Sequence, residues 1–145
     1  VPAVASLRAP TDEERESLDF LRLLASASGR SGAALSMLAA DVRGMTTIVA
    51  LIDGRVVGLA ASRADSGENV LRHLAVDAAR RREGTARRLV AAVRDAEPGM
   101  ALIAETDDDA VTFYRRCGFT VVPLPRDPRW PRIQRYRCVL PVEAG

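Results

Sequence analysis

Apolar and polar positions alternate along this chain in two distinct periods, and the places where the period changes mark the elements. Val4 to Arg8 alternates as a short strand. Thr11 followed by Glu14 is a capping box opening a helix whose apolar positions Leu18, Leu21 and Leu24 recur at helical spacing, until Gly29 to Gly32 breaks it. A second, shorter helix spans Ala33 to Asp41 and ends by Gly44. Thr46 to Ile52, Asp53-Gly54 and Val56 to Ser62 form a hairpin, because Asp-Gly suits the primed turn that matches strand twist. Val70 to Val76 adds a third strand to this meander, apolar on both faces as a covered strand should be.

The second half returns to the helical period. Thr85 to Asp95 places Leu89, Val90 and Val93 on one face, and Glu97-Pro98-Gly99 stops it. Ala101 to Glu105 is a short buried strand. A helix capped by Asp108 or Asp109 then runs to Cys117, with Gly118 closing it in the left-handed conformation. Phe119 to Leu124 and Ile133 to Leu140 are final strands, joined by the stiff, proline-rich PLPRDPRWP. The order is β-α-α-β-β-β-α-β-α-β-β: an α/β chain of the α+β type, with a mixed, mostly antiparallel sheet of about seven strands.

A chain of 145 residues fits one domain, 1–145, able to bury a core without disulfides. No apolar run reaches membrane-spanning length, and the first residues lack the plan of a signal peptide, so the expected location is cytoplasmic. Two cysteines, Cys117 and Cys138, and one histidine offer no zinc set. A net charge of +2, with acids interleaved among the bases, speaks against nucleic-acid binding. Every basic residue is arginine, a bias that fits a GC-rich bacterial genome.

The chemistry concentrates in Leu71 to Val93, LRHLAVDAARRREGTARRLVAAV: a strand, an arginine cluster, a Gly-Thr-Ala turn and an amphipathic helix. Free N–H groups at a helix start, backed by the helix dipole, hold a phosphate without a metal. Gly84 lets the backbone approach an anion closely, with small Thr85 and Ala86 beside it. Arg81 and Arg82 before the turn, and Arg87 and Arg88 after it, lie close enough to add charge. From Val76 through Arg81, Gly84 and Ala86, the segment resembles the R/Q-x-x-G-x-G/A signature of the GNAT acyl-CoA N-acyltransferase superfamily. Asp107 to Phe119, DDDAVTFYRRCGF, is similar to that family's N-x-x-A-x-x-[FL]-Y-x-x-x-G-F segment, with Asp107 where Asn is usual. The resemblance spans roughly residues 4 to 140.

The resemblance implies the GNAT fold, with helices on both faces of the sheet, and acetyl-CoA as donor. Leu71–Val76 and Ala101–Glu105 would be the two strands that splay. Main-chain groups of Leu74, Ala75 and Val76 would hold the pantetheine arm and polarise the thioester carbonyl, and the amides of Arg82, Glu83, Gly84, Thr85 and Ala86 the pyrophosphate, with Arg81 nearby. Asp107 stands at the family's cofactor-contacting Asn, although a carboxylate lacks the amide's donor. Tyr114 aligns with the tyrosine that protonates the departing thiolate. His73, beside the carbonyl site, and Glu105, on the partner strand, are alternatives for the general base, and a water chain could serve instead. The Asp107–Asp109 run is a helix start rather than a metal site, and Cys117, at the negative end of a helix, is no nucleophile.

The implied activity is direct acetyl transfer to the primary amine of a small molecule, without an acyl-enzyme. The basic loop carrying Arg126, Arg129, Trp130 and Arg132 favours an amine that also bears a carboxylate or phosphate. A homodimer through the final strands is compatible with the resemblance. The competing reading from another class is a non-catalytic module that senses acyl-CoA.

Overall fold

The computed structural model describes residues 4–142; the outermost residues of the expected 1–145 domain lie outside them. Seven strands form one sheet in the order β1-β2-β3-β4-β5-β7-β6. They are β1 (Ser6–Arg8), β2 (Thr46–Ile52), β3 (Arg55–Asp65), β4 (Glu68–Val76), β5 (Leu102–Asp107), β6 (Thr120–Pro123) and β7 (Arg135–Leu140). Five helices join them: α1 (Asp12–Glu16), α2 (Leu18–Ser28), α3 (Gly32–Val42), α4 (Thr85–Ala96) and α5 (Val111–Arg116). Every strand pairing is antiparallel except β4 with β5.

Alternation along β2 explains the layers. Ile48, Ala50 and Ile52 join Leu89, Val90 and Val93 of α4, whereas Val49 and Leu51 join Phe20, Leu23 and Leu24 of α2 and Leu38 and Val42 of α3. The sheet is therefore covered on both faces, as the resemblance implied.

The hairpin turn is as expected: Asp53 and Gly54 both have positive φ, 52° and 76°, which a primed turn demands. A second such turn at Ser66-Gly67, φ 52° and 82°, carries β3 into β4. The third strand of the meander therefore begins at Glu68, ahead of the expected Val70.

Two local expectations need correction. The capping box is present, with Glu14 N donating to Thr11 Oγ1 (3.1 Å) and Thr11 N to Glu14 Oε1 (2.9 Å), yet the helix stops after five residues. Ser17 is extended there (φ −67°, ψ 150°). Its hydroxyl donates to Glu14 O (2.7 Å) and accepts from Phe20 N (3.2 Å), capping the end of one helix and the start of the next. Three helices therefore precede β2, not two. Leu18, read as inward-facing, is 61% exposed at the head of α2, while Phe20, Leu23 and Leu24 bury instead.

α5, expected to be capped by Asp108 or Asp109, starts at Val111 after Ala110 with no side-chain cap. Asp107 instead accepts from Asp109 N (3.0 Å) in a tight local turn, and Asp108 accepts from the Tyr136 hydroxyl. At its other end, Gly118 (φ 93°) closes the helix as expected. Phe119 N bonds Tyr114 O and Gly118 N bonds Arg115 O, the paired bonds of a Schellman motif.

Gly58 sets how closely α4 lies on the sheet. A Cβ there would stand 3.1 Å from Leu89 Cδ1 and 3.3 Å from Ala75 O. Gly58→Ala is expected to destabilise the chain by about 1–2 kcal/mol, since overpacking outweighs the entropy gained by removing a strand glycine. Urea unfolding reads this directly, and an unchanged midpoint would show that α4 yields without cost.

Candidate active site

The site begins where β4 and β5 part. Their register holds only two pairs, Asn69 with Leu102 and Val70 with Ile103, after which the parallel strands diverge. β4 remains paired with β3 as far as Val76, and β5 with β7 as far as Asp107. The facing edges of Leu71–Val76 and Ala104–Asp107 are thus left without each other's hydrogen bonds. Unmet backbone groups inside a covered sheet are costly unless something completes the ladder.

A bulge tunes this stretch. Ser62 opposes Leu71 and Ala61 opposes His73, so Arg72 is the extra residue. The phase of β4 shifts accordingly. Leu71, Leu74 and Val76 pack toward α4, whereas Ala75 packs toward α2 and α3. His73, next to Leu74, shares the face of Ala75. Strict alternation left open which way His73 pointed; the bulge decides it.

Beyond Val76 a 3-10 turn, Ala78–Arg80, leads into the loop before α4. Arg82 (φ 68°) and Gly84 (φ 80°) are both left-handed. The first α4 amide bonded back into the helix is that of Arg88, to Gly84 O at 3.1 Å. The amides of Thr85, Ala86 and Arg87 therefore lack helical partners. The left-handed Gly84 leading straight into a free helix start is a backbone geometry that suits an anion. A Cβ at Gly84 would meet no atom within 4 Å, so the seat is open.

These parts border one cavity of about 950 Å³. The sequence-predicted residues Leu74, Ala75, Val76, Arg81, Arg82, Gly84, Thr85 and Ala86 all line it. So do Arg80, Arg116, Phe113 and, from the end of α2, Ser26 and Ala27, none of which the sequence reading assigned to it. Arg115 and Arg116 are consecutive in α5, and nothing in the sequence distinguishes the one that faces the cleft. Among the added arginines, Arg88 is occupied elsewhere, donating to Ala5 O (2.6 Å), while Arg87 lines the cavity and donates to Arg116 O (2.5 Å).

Glu83 and Asp107 are not part of the lining, and the Asp107 carboxylate is used by its own turn. His73, Glu105 and Tyr114 are not part of the lining either, although Tyr114 follows Phe113, which is. The ring is 8% exposed and packs edge-on against Phe113 (5.1 Å) and Phe119 (5.2 Å). Its hydroxyl has no hydrogen-bond partner among the described residues and is not fully sealed. Burial, helped by Cys138 and Cys117, pushes the phenol up to about 12. Glu105, exposed on β5 opposite Arg137, has the parity of Ile103 and Asp107, away from the α4-facing Leu102 and Ala104.

His73 is half-buried, with Nδ1 sealed and unpartnered. Burial lowers its pKa, Arg30 and Arg72 lower it further, and Asp41 opposes them. Burial likewise raises the Cys117 thiol, against an opposing hydrogen bond from Arg87, so thiolate is disfavoured. Among the described residues, no group of three or more metal-ligating side chains comes together.

Residues 43–121 match the acetyltransferase (GNAT) domain family, more than half of the chain. The chain belongs to that family: it is an acyl-CoA-dependent N-acetyltransferase, whose class uses acetyl-CoA and acts on amine-bearing substrates. Three solved structures share the fold. An aminoglycoside 6'-N-acetyltransferase complexed with coenzyme A has TM-score 0.79 and 12% identity, covering 97% of this chain and 98% of that one. The ribosomal-protein-S18-alanine N-acetyltransferase of Escherichia coli has TM-score 0.72 and 15% identity, covering 97% and 96%. A GNAT family acetyltransferase from Elizabethkingia anophelis with acetyl-CoA bound has TM-score 0.73 and 11% identity, covering 97% and 99%. Comparison with curated proteins gives no sequence match. Among the described residues, no helix is long and apolar enough to cross a membrane.

The sign of the His73 shift gives a test. Between its lowered folded value and the ordinary 6.5, the unfolded chain binds more protons than the folded one. Stability therefore falls as pH drops below about 6.5. As the chain's one histidine, its ring resonances are unambiguous. An NMR titration should place the midpoint below 6.5, and a midpoint above that value would contradict the burial argument.

Proposed function

We propose that this chain carries an acetyl group from acetyl-CoA directly to a primary amine of a small molecule, within a ternary complex and without an acyl-enzyme. The observation that carries the reading is the two-rung pairing of β4 and β5 beside an open anion seat in one cavity. The residues fit the coenzyme: free amides at Thr85 to Arg87 and the guanidinium groups of Arg81 and Arg82 suit a diphosphate, and the unpaired edge at Leu74 to Val76 suits an amide-bearing arm. When bound, the thioester supplies an already activated acyl carbon.

The protein's part is then placement and proton handling. The edge from Leu74 to Val76 orients the acyl group, and aligned reactants account for much of the acceleration. His73, kept neutral near pH 7 by burial and by Arg30 and Arg72, is the base that takes a proton from the incoming ammonium. Glu105 is the alternative base, on the same face of the splayed partner strand. Tyr114 is the acid. Its pKa of about 12 keeps it protonated over the whole working range, so it is always a donor, and it adds no falling limb near pH 9 or 10. The raised thiol of Cys117, at the negative end of α5, supports the absence of an acyl-enzyme.

A compact acceptor is supported by the loop between β6 and β7. Gln134 Nε2 donates to Leu124 O (2.8 Å), Arg126 to Pro131 O (3.0 Å), and Arg129 pairs with Asp127 (2.7 Å). The loop is thus a self-braced lobe beside the open end of the splay, not an unpaired edge waiting for a polypeptide strand.

Thiol release should be followed with acetyl-CoA and a panel of small primary amines, alongside peptides with free N-termini. Release above hydrolysis with a small amine is expected; release with peptides alone would overturn the small-molecule acceptor, and coenzyme binding without release to any amine would favour a sensor. Tyr114→Phe should lower kcat by about 10²-fold, leaving coenzyme affinity unchanged. Unaltered turnover across pH would remove Tyr114 as the acid.

A further inference from the structure

The bulge in β4 does more than turn His73. Leu71 and Leu74 both pack toward α4 with two residues between them, where strict alternation allows one, so Arg72 and His73 are turned together toward the α2–α3 face. The cavity reaches that face at Ala75 and, from the end of α2, at Ser26 and Ala27. Arg72 and His73 stand next along β4, outside its lining. Arg72 is exposed, and its guanidinium makes no hydrogen bond or ion pair among the described residues. The same holds for Arg30. Gly29 (φ 71°) ends α2 and leaves Arg30 exposed in the short link to α3, just past Ala27. Both arginines act electrostatically on His73, so the three share one neighbourhood.

Across the splay the sign of the charge reverses. Glu105 is exposed on β5, on the face of His73, and its cross-strand neighbour Arg137 pairs instead with Glu68 (2.8 Å). The Glu105 carboxylate thus has no ion partner among the described residues. Asp41, the one acid that acts on His73, is held by Arg63 (3.0 Å). The β6–β7 loop, whose arginines the sequence singles out for an acidic acceptor, has engaged two of them internally. Arg126 donates to Gln134 Oε1 (3.1 Å) and Pro131 O (3.0 Å), and Arg129 pairs with Asp127 (2.7 Å). Free charge beside His73 is therefore cationic on the β4 and α2–α3 side and anionic on β5.

Resting on the small-molecule reading above, we infer that the acceptor is an amine that also carries an anionic group, a carboxylate or a phosphate monoester, recognised by Arg72 with Arg30 while Glu105 draws the ammonium toward the gap. A guanidinium forks two N–H groups onto either anion, and both arginines have their donors uncommitted. An amine with only positive charge meets two like charges there.

Thiol release from acetyl-CoA should be measured on the full chain with matched amines: amino acids of increasing chain length against their carboxamides, and O-phosphoethanolamine against ethanolamine. For at least one pair the anionic member should have about tenfold higher kcat/KM, carried by KM, the effect of one charge-assisted contact at an exposed site. The pair with the larger ratio tells carboxylate from phosphate. Arg72→Gln should bring that ratio close to unity, Arg30→Gln should lower it by less, and Arg72→Glu should invert it. Because the ratio compares two substrates on one protein, changes at His73 or in the folded fraction cancel. Arg132→Gln, on the loop, should keep the wild-type ratio. Wild-type ratios near unity for every pair, with the amines still acetylated, would overturn the inference and leave the small-molecule reading standing. A ratio lost in Arg132→Gln and kept in Arg72→Gln would overturn the assignment to β4 and move recognition to the loop. Acetylation of none of these amines would overturn both the inference and the reading beneath it.

Discussion

Two strands that begin as neighbours and then separate set the terms for the rest of this molecule. β4 and β5 share two rungs and no more, although each is fully paired on its outer side. Inside a sheet with helices on both faces, unpaired backbone donors and acceptors are a standing cost. The chain tolerates that cost because the gap opens into a cavity, not into packed core. An extended ligand bearing amides can restore what the strands withhold from each other.

The gap is useful only if the anion seat at its end stays in register with it, and α4 provides the link. Close contact at Gly58 lets Leu89 settle against the sheet. Near its C-terminus the helix tightens, with Glu97 N bonding Arg94 O, and the Val93 carbonyl accepts instead from Asn69 Nδ2 at 3.3 Å. Asn69 is also the first residue of the β4–β5 register, so one buried amide joins the vertex of the splay to the helix. At the other end Arg87 and Arg88 donate to Arg116 O and Ala5 O. With both ends fastened, the unpaired amides of its first turn are held in place.

Legibility in the sequence followed how local each cause was. The Asp53-Gly54 turn, the Thr11–Glu14 capping box and the closing Gly118 depend on residues within a few positions, and all stand where the pattern put them. The turn at Gly84 and the start of α4 at Thr85 are likewise local, their residues being contiguous. What escaped depended on partners distant in sequence or on competing local bonds. Ser17 offers its hydroxyl to two helices at once and breaks what periodicity reads as one. The bulge at Arg72 is defined by the opposing strand and flips His73 to the α2–α3 face. Arg116 and Ser26 reach the cavity only because of how α5 and α2 pack. Tyr114 is singled out by its motif alone, whereas its burial, and hence its high pKa, comes from Phe113, Phe119 and the core around them.

Hydrogen exchange of backbone amides, read by NMR with and without coenzyme A, addresses the central claim most directly. Amides on the unpaired edge within Leu74–Val76, together with those of Thr85 to Arg87, should exchange fast in the free protein and become protected on binding. Binding that leaves both groups unprotected while protecting amides elsewhere would contradict the account.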